Sequence, residues 1–326
     1  MGGHDIIAIG ASAGGVETLQ RLVGSLPRDI PAAIFVVQHT SPESPGLFAN
    51  ILERSGPLKA KYPKNGEHFH PGTIYVAKAD HHLLVKKDHV LVTRGPRENR
   101  MRPAIDPLFR SAAAAYGPKV VGVVLTGMLD DGTAGLFTVK RCGGVACVQD
   151  PDDAPYPEMP QSALENVQVD YRLPVSELGS LLDRLARTEA SSDIPIPEDV
   201  VVEARIAEKA MSDINIIEKM GTKSPFGCPE CGGGIWEIQN DPVQRYRCNT
   251  GHAFTARTLL ASQNETIERA LWAAVRSLEE RANMLARLAR DEKGRGRNSS
   301  SRDYGTEADE AKRNAQYIRE LLLHIA

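Results

Sequence analysis

The sequence predicts an α/β fold with a doubly wound, mostly parallel sheet, followed by a small Cys- and Gly-rich unit and a C-terminal α-helical segment. Up to about residue 190, short β-branched runs alternate with helical patterns, as in βαβ units. These runs are apolar throughout, as strands covered on both faces of a parallel sheet should be. Cysteine and glycine then concentrate between residues 227 and 254, and a helical pattern runs from Leu259 to the end.

The individual elements follow from these patterns in chain order. The apolar runs predict strands over Asp5–Gly10, Ala33–Gln38, Lys119–Leu125 and Val145–Val148. Between and after them, helical periodicity predicts helices over Gly15–Gly24, Pro45–Arg54, Asp106–Tyr116, Gly132–Arg141 and Val175–Ala186. His81–Thr93 differs, because two apolar runs flank Lys87-Asp88 and predict an antiparallel hairpin.

A shift in composition after Arg187 divides the chain. We predict an α/β domain over residues 1–190, a linker and helix over 191–222, a metal-binding unit over 223–258 and a helical tail over 259–326. The Ser-rich, basic stretch Lys293–Tyr304 is predicted to be a mobile loop within the tail. All strands of the α/β sheet precede residue 190, so we expect little hydrogen bonding to cross that boundary.

Charge and composition exclude several classes of function. The net charge of -3 and pI of about 6.3 argue against a nucleic-acid partner. No apolar stretch is long enough to cross a membrane, and the N-terminus lacks the basic region of a signal peptide. Five cysteines in 326 residues do not form a disulfide framework, so we expect a reducing, cytoplasmic setting.

A serine follows the first predicted strand in the pattern Gly10-Ala-Ser12-Ala-Gly14. This G-x-S-x-G sequence lies between a strand and a helix, the context of a nucleophilic serine exposed at the carboxyl edge of a sheet. A P-loop is excluded because no Lys follows the glycines. A dinucleotide-binding turn is disfavoured because Ser12 replaces its second glycine, and a simple helix cap remains the alternative.

Two further strand ends provide the partners that such a serine needs. His39 follows the second strand, and Asp131 lies in the turn after Lys119–Leu125. Each residue alone has an ordinary explanation, as a surface histidine or a helix cap. Together on one sheet edge, Ser12, His39 and Asp131 predict a catalytic triad, since a triad is recognised by role rather than by chain order. The backbone N–H groups of Ala13, Gly14 and Met128 are candidates for an oxyanion hole.

Several segments resemble the catalytic domain of the CheB family, the protein-glutamate methylesterases of bacterial chemotaxis. They are Gly10–Gly15, Val37–His39, Arg102–Arg110, Leu125–Gly132 and Gln149–Ala163, in the order that the family has them. The resemblance covers about residues 4–188. It implies that Ser12 is the nucleophile, His39 the base and Asp131 the third member of the triad, with glutamine deamidation as a second activity. It also implies that the family's receiver domain and its control by phosphorylation are missing from this chain.

The Cys- and Gly-rich unit predicts a zinc ribbon. Cys228 and Cys231 form a C-x2-C pair, and Cys248 and His252 form a C-x3-H pair, with strand-like residues between them. Four protein ligands leave no open position, so we expect zinc to be structural. Cys142 and Cys147 are expected to be isolated thiols beside the fourth strand. No organic cofactor is expected.

Apolar stripes mark the helical tail. They predict either an antiparallel pair of helices or self-association, and both interpretations stay open. The stripes comprise Ile267, Leu271, Ala274, Leu278, Ala282, Leu285 and Leu288, then Ala308, Ala311, Ala315, Ile318, Leu322 and Ile325.

The function that the sequence favours is a serine esterase that hydrolyses glutamate methyl esters on a methylated chemoreceptor or other signalling protein, releasing methanol. The four arginines of Arg94–Arg102 would orient an acidic substrate beside the site. The alternative is a CheB-like regulatory or scaffold module that acts through its ribbon and helical tail.

Overall fold

The computed structural model describes residues 3–191, 194–209, 214–239 and 241–325. The strands in these ranges are β1 (Ile6–Ala11), β2 (Ala33–Gln38), β3 (Lys59–Lys61), β4 (Thr73–Val76), β5 (His82–Val85), β6 (Val90–Thr93), β7 (Val120–Val124), β8 (Val145–Gln149), β9 (Tyr171–Leu173), β10 (Gly221–Gly227), β11 (Gly234–Ile238), β12 (Arg245–Cys248) and β13 (Ala253–Thr255). The helices are α1 (Gly15–Gly24), α2 (Phe48–Ser55), α3 (Ile105–Tyr116), α4 (Thr133–Arg141), α5 (Glu158–Asn166), α6 (Val175–Arg187), α7 (Glu198–Lys209), α8 (Ile214–Met220), α9 (Ala256–Gly294) and α10 (Asn298–Ile325).

A seven-stranded parallel sheet forms the centre of the α/β domain, in the order β3-β4-β2-β1-β7-β8-β9. From β1, in the middle of the sheet, the chain first adds β2 on one side. It later returns to pair β7 with the other side of β1 and continues outward to β8. The carboxyl ends of β1, β2 and β7 therefore meet at the point where strand order reverses, which is where open α/β sheets bind ligands. The predicted doubly wound sheet is confirmed.

Helices cover both faces of this sheet because successive side chains of a strand point to opposite sides. Ile7 and Ile9 of β1 pack with residues of α1, α2 and α6. Ile6 and Ala8 pack on the other face with residues of α3, α4 and α5. Burial on both sides explains why β1, β2 and β7 are apolar throughout.

The predicted elements agree with the structure to within three residues at each end. The hairpin of β5 and β6 is antiparallel, as predicted. Strands β3, β4 and β9 and helix α5 were not predicted. These strands have only three or four residues, and β3 alternates exposed lysines with one buried alanine, so its apolar signal is weak.

The Cys- and Gly-rich unit is a four-stranded antiparallel sheet in the order β10-β11-β12-β13. This sheet and the α/β domain together form one compact unit, and that unit ends at Leu259. Ile196 and Val200, from the predicted linker and helix, pack into the apolar core beside α3. The backbone N–H of Asn99 donates to the carbonyl of Ala253 at 2.8 Å, so the expectation that little hydrogen bonding crosses residue 190 is wrong.

Residues 260–325 form a second compact unit. Ion pairs from Arg281 to Glu307 and from Arg319 to Glu279 show that α9 and α10 run antiparallel, which is one of the two predicted arrangements. The buried residues of the stripes include Ala282, Leu285, Ala308, Ala311, Ala315 and Leu322. Ile267 is exposed, and the side chain of Ile325 lies outside the described residues.

The prediction of a mobile loop over Lys293–Tyr304 is wrong for most of that stretch. Helix α9 continues to Gly294, and α10 begins at Asn298. The hydroxyl of Ser301 donates to the carbonyl of Ala289 across the hairpin, at 2.8 Å, which joins the first turn of α10 to α9. Among the described residues, no helix is both long and apolar enough to span a membrane.

Candidate active site

Ser12 lies in the turn between β1 and α1. Its backbone N–H donates to the carbonyl of Thr126 at 2.9 Å, which joins the turn to the end of β7. Gly14 has φ 71°, a left-handed conformation that favours glycine. A Cβ at Gly127 would lie 2.8 Å from the Cβ of Ser12, so only glycine lets the two strand ends approach this closely.

The three residues of the predicted triad lie in a hydrogen-bonded row. Nδ1 of His39 is 3.1 Å from Oγ of Ser12, and Nε2 of His39 is 2.7 Å from Oδ2 of Asp131. Because Nε2–H donates to Asp131, Nδ1 is the unprotonated nitrogen and faces the serine hydroxyl. This is the tautomer that a general base for Ser12 requires.

Asp131 is held as a carboxylate in a buried position. Burial by itself would raise the pKa of this carboxyl, but His39, the backbone N–H of Ile105 and the amide of Asn99 lower it below its usual range. The N–H of Ile105 donates to Oδ2 at 2.7 Å, and Nδ2 of Asn99 donates to Oδ1 at 2.8 Å. The carboxylate is therefore charged and fixed in orientation behind the imidazole.

A second carboxyl lies beside Asp131 without touching His39. Asp106, in the first turn of α3, accepts hydrogen bonds from Asn99 Nδ2 and from the N–H groups of Gly132 and Gly135. Burial and the negative charge of Asp131 raise its pKa well above the usual value. The pair thus separates into one carboxyl that ionises easily and one that resists ionisation.

The predicted oxyanion residues have different surroundings. In the described structure, no protein acceptor lies against the N–H groups of Ala13, Gly14 and Met128, whereas the N–H of Leu129 donates to Glu158. Ala13 lines the cavity over the serine. Met128 is 52% exposed and lies outside the cavity lining.

The cavity beside Ser12 and His39 has a volume of about 490 Å³. Arg97, Arg100 and Arg102 line it together with the backbone of the turn. Arg94 and Arg102 both bind the carboxylate of Asp80, at 2.7 and 2.8 Å, so the positive charge of these two is partly neutralised. Arg97 lies 3.9 Å from Glu230. The three arginines that line the cavity, Arg97, Arg100 and Arg102, are the candidates to meet an acidic ligand.

Asn99 was not predicted from the sequence as part of the site. Its amide nitrogen is shared between Asp106 and Asp131, and its amide oxygen accepts from the backbone N–H of Thr255 at 3.1 Å. Asn99 and Arg100 both have positive φ, at 50° and 70°. Two consecutive left-handed residues other than glycine point to a constrained loop, but no sequence pattern distinguishes this asparagine from one in an ordinary turn.

The four predicted metal ligands lie together at one end of the ribbon. The ligand atoms of Cys228, Cys231, Cys248 and His252 are all within 4.8 Å of one another. Cys231 Sγ and Cys248 Sγ are 3.8 Å apart, and Cys248 Sγ lies 3.5 Å from His252 Nδ1. Tetrahedral zinc with bonds of about 2.0–2.3 Å requires ligand separations of about 3.5–3.8 Å. These two separations match a tetrahedral ion, and the chain holds a Cys3His cluster that could bind a metal.

The remaining cysteines lie apart from this cluster. Cys142 and Cys147 are free and buried in the α/β domain, as predicted. Burial raises the pKa of Cys142 to about 11 and raises that of Cys147 further. Both are therefore protonated, inert parts of the core.

Comparison with known proteins agrees with this architecture. Residues 7–182 match the model of the CheB methylesterase family. A putative protein-glutamate methylesterase/protein-glutamine glutaminase of Leptospira interrogans is 39% identical over 183 residues, which are 56% of this chain and 95% of that protein. A protein-glutamate methylesterase/protein-glutamine glutaminase of Methanosarcina mazei is 33% identical over 56% of this chain, but the match spans only 52% of that protein.

The solved structures include a relative with the same sheet. The crystal structure of the Thermotoga maritima CheB methylesterase catalytic domain aligns with a TM-score of 0.54 and 35% identity, covering 57% of this chain and 99% of that one. The family match ends before α7, so the ribbon and the helical hairpin lie outside it. The relatives are carboxylic ester hydrolases by name, and the chain belongs to the CheB methylesterase family.

Proposed function

We propose that this chain is a serine esterase that hydrolyses the γ-methyl ester of glutamate residues in a protein and also deamidates glutamine. The row from Ser12 Oγ through His39 to Asp131 carries the proposal, with contacts of 3.1 and 2.7 Å. The names of the Leptospira and Methanosarcina relatives supply the substrate class. We further propose that the substrate is a methylated chemoreceptor or a related signalling protein.

Acylation begins when the ester carbonyl enters the cavity beside Ser12. Oγ attacks the carbonyl carbon while its proton moves to Nδ1 of His39. Asp131 stabilises the resulting imidazolium, and the N–H groups of Ala13, Gly14 or Met128 stabilise the oxyanion. The carbon–methoxide bond then breaks, and the proton on Nδ1 moves to the leaving oxygen to give methanol. For a glutamine substrate, the leaving group is ammonia.

Deacylation repeats these steps with water. His39 Nδ1 takes a proton from water as its oxygen attacks the glutamyl-serine ester. The bond to Ser12 Oγ breaks, and the same proton returns to the serine. The products are a free glutamate side chain and the regenerated hydroxyl.

Substrate orientation is assigned to Arg97, Arg100 and Arg102, which line the cavity. An acidic stretch beside the methylated glutamate would bind these guanidinium groups through charge-assisted hydrogen bonds. Arg102 is held in place by its ion pair with Asp80.

The test is methanol release from a methylated receptor fragment, with Ser12→Ala and Asp131→Asn as variants. We expect Ser12→Ala to lower kcat by about 10⁴–10⁶-fold, since nucleophile and base act as a unit. Asp131→Asn should lower it by about 10⁴-fold, because the amide no longer holds the correct tautomer. Ser180→Ala and Asp152→Asn, both exposed, are the matched controls. Activity of Ser12→Ala within tenfold of the wild type would exclude Ser12 as the nucleophile, whereas no methanol release from the wild type would favour a scaffold role.

We propose that Cys228, Cys231, Cys248 and His252 hold one structural zinc ion. The ligand separations support this, and four protein ligands leave no position for a substrate. Zinc would supply a fixed link between the turn that joins β10 to β11 and the turn that joins β12 to β13. Because thiolate ligands persist in a reducing compartment, we also propose a cytoplasmic location.

Metal analysis should find one equivalent of zinc per chain. Cys228→Ser should remove this zinc, whereas Cys142→Ser should not.

A further inference from the structure

The ribbon reaches the candidate triad through a continuous set of hydrogen bonds. We propose that it is a positioning element of the active site, in which Thr255 and Asn99 are positioning residues that hold Asp131 against His39. The inference deepens the proposed function and depends on it. It assigns a role to the part of the chain that lies outside the CheB family match.

The first step runs from the metal cluster to the loop of residues 97–102. Strand β13 begins at Ala253, directly after the predicted ligand His252. The N–H of Ala253 donates to the carbonyl of Arg97 at 3.3 Å, and its carbonyl accepts from the N–H of Asn99 at 2.8 Å. The strand therefore pairs with this loop by backbone hydrogen bonds that depend on the path of the chain after His252.

The second step runs from β13 to the carboxylates. The N–H of Thr255 donates to Oδ1 of Asn99 at 3.1 Å, and the hydroxyl of Thr255 donates to Oδ1 of Asp130 at 2.8 Å. Thr258 adds a longer contact of 3.3 Å to the same amide oxygen. Thr255 thus holds the residue immediately before Asp131 and the side chain that binds Asp131.

The third step fixes the orientation of the amide. Because Oδ1 of Asn99 accepts from the ribbon, Nδ2 must face Asp131 and Asp106, at 2.8 Å from each. The donors from β13 and the acceptors on Asp131 and Asp106 therefore favour the same orientation of the amide. A rotated amide would place an oxygen against Asp131, which is repulsive in a buried site. The ribbon therefore reinforces the amide orientation that stabilises the charged carboxylate.

Burial makes these contacts effective. Asn99, Asp131 and Thr255 are all buried, so water does not replace a lost partner. A shift of the Asp131 carboxylate changes the direction of the His39 ring and hence the approach of Nδ1 to Ser12. Misplacement by about 1 Å is sufficient to lower a catalytic rate by about 100-fold.

The experiment measures kcat, KM and the NMR resonance of the proton between His39 Nε2 and Asp131, in the full chain. The resonance is assigned by its loss in His39→Ala. We expect Asn99→Ala to lower kcat by about 10–100-fold with KM changed less than threefold, and to broaden or shift that resonance. Thr255→Val removes the hydroxyl that binds Asp130 and keeps the backbone N–H that binds Asn99, so it tests the contact to the residue before Asp131. It should lower kcat and shift the resonance in the same direction as Asn99→Ala, and Thr255→Ser, which keeps the hydroxyl, should restore both readouts.

Matched controls are Asn166→Ala in α5 and Thr222→Val in β10, whose side chains bind only Ser162 and Gln239 in the described structure. If Asn99→Ala does not fold, the comparison of Thr255→Val with Thr255→Ser decides the question. Chelation of the metal should also disturb the proton resonance while the α/β domain stays folded by circular dichroism. An unchanged resonance and kcat in Thr255→Val would overturn the proposal. A wild type with an intact resonance and no methanol release would instead contradict the proposed substrate.

Discussion

At the residue scale, three buried carboxyl groups lie behind His39 and differ in what surrounds them. Asp131 receives enough donors to stay charged, whereas burial and the charge of Asp131 oppose ionisation of Asp106. Asp130 has one hydroxyl donor, Thr255, but burial and Asp131 raise its pKa to about 6. Asp131, the one carboxylate that touches the imidazole, is therefore the first of the three to ionise as pH rises.

Asp130 makes the stability of the protein depend on pH. In the unfolded chain its pKa is about 4, so between about pH 4 and pH 6 the folded state holds the extra proton and stability falls as pH rises. We expect Asp130→Asn to remove this contribution, which amounts to at most about 3 kcal/mol for a pKa shift of about two units. Urea unfolding at pH 4 and pH 7 measures it. If the free energy of unfolding changes by the same amount between pH 4 and pH 7 in the wild type and in Asp130→Asn, the assignment is contradicted. Asp152→Asn, at an exposed position, is the control.

At the element scale, strand β12 and helices α3 and α7 meet in a buried ion cluster. Arg247 of β12 binds Glu98 at 3.1 Å and Glu203 of α7 at 2.7 Å. Arg110 of α3 binds the same two carboxylates, at 2.6 and 3.0 Å. Burial alone would raise the pKa of Glu98, but Arg110 and Arg247 lower it to about 2. The cluster stays ionised at neutral pH and connects the ribbon, α7 and the α/β domain.

Removing one partner from this cluster should destabilise the fold. Arg247 is fully buried, so Arg247→Met would leave Glu98 and Glu203 with less compensation in a dry site. We expect the free energy of unfolding to fall by about 3–5 kcal/mol. Arg54→Met, at an exposed position in α2, should change it by less than about 0.5 kcal/mol. A loss below 1 kcal/mol for Arg247→Met would mean that the cluster adds nothing beyond packing.

At the scale of the whole molecule, the ribbon and the α/β domain share one compact unit that ends at Leu259, and the helical hairpin forms the second. In the Leptospira relative, the matched domain accounts for 95% of the protein. The α/β fold is therefore expected to form without a ribbon. What α7 and the ribbon add in this chain is a set of partners for three residues of the α/β domain: Glu203 for Arg110, Arg247 for Glu98 and Thr255 for Asn99. We propose residues 1–259 as the functional unit.

Truncation tests this division. A chain that ends at residue 259 should have the same kcat as the full chain. Its Tm should equal that of the α/β domain and ribbon within the full chain. A chain that ends at residue 190 should fold but melt at a lower temperature and lose at least tenfold in kcat, because Asn99 loses Thr255 and Glu98 loses Arg247. Thermal melting, methanol release and size-exclusion chromatography, which reports any self-association through α9 and α10, are the measurements. Full activity of the shorter chain would show that the predicted boundary at 190 also separates functions.

The sequence by itself determined the parallel sheet, the strand ends that carry Ser12, His39 and Asp131, and the spacing of the metal ligands. These features are local: apolar runs, turn glycines and short ligand spacings are all legible within a few residues of the chain. It did not reveal β3 or α5, because short and half-exposed elements form only when the rest of the sheet and its covering layers provide a surface for them.

Only the tertiary structure decided how distant polar residues pair. Glu98 and Arg247 are separated by 149 residues, and Asn99 and Thr255 by 156. No periodicity relates such positions, and each residue alone is typical of an exposed loop or ribbon. Burial changes their role, because a charged or amide group that has lost water must bind whichever complementary group the fold brings beside it. The connection between ribbon and active site follows from that requirement and is visible only once the chain is folded.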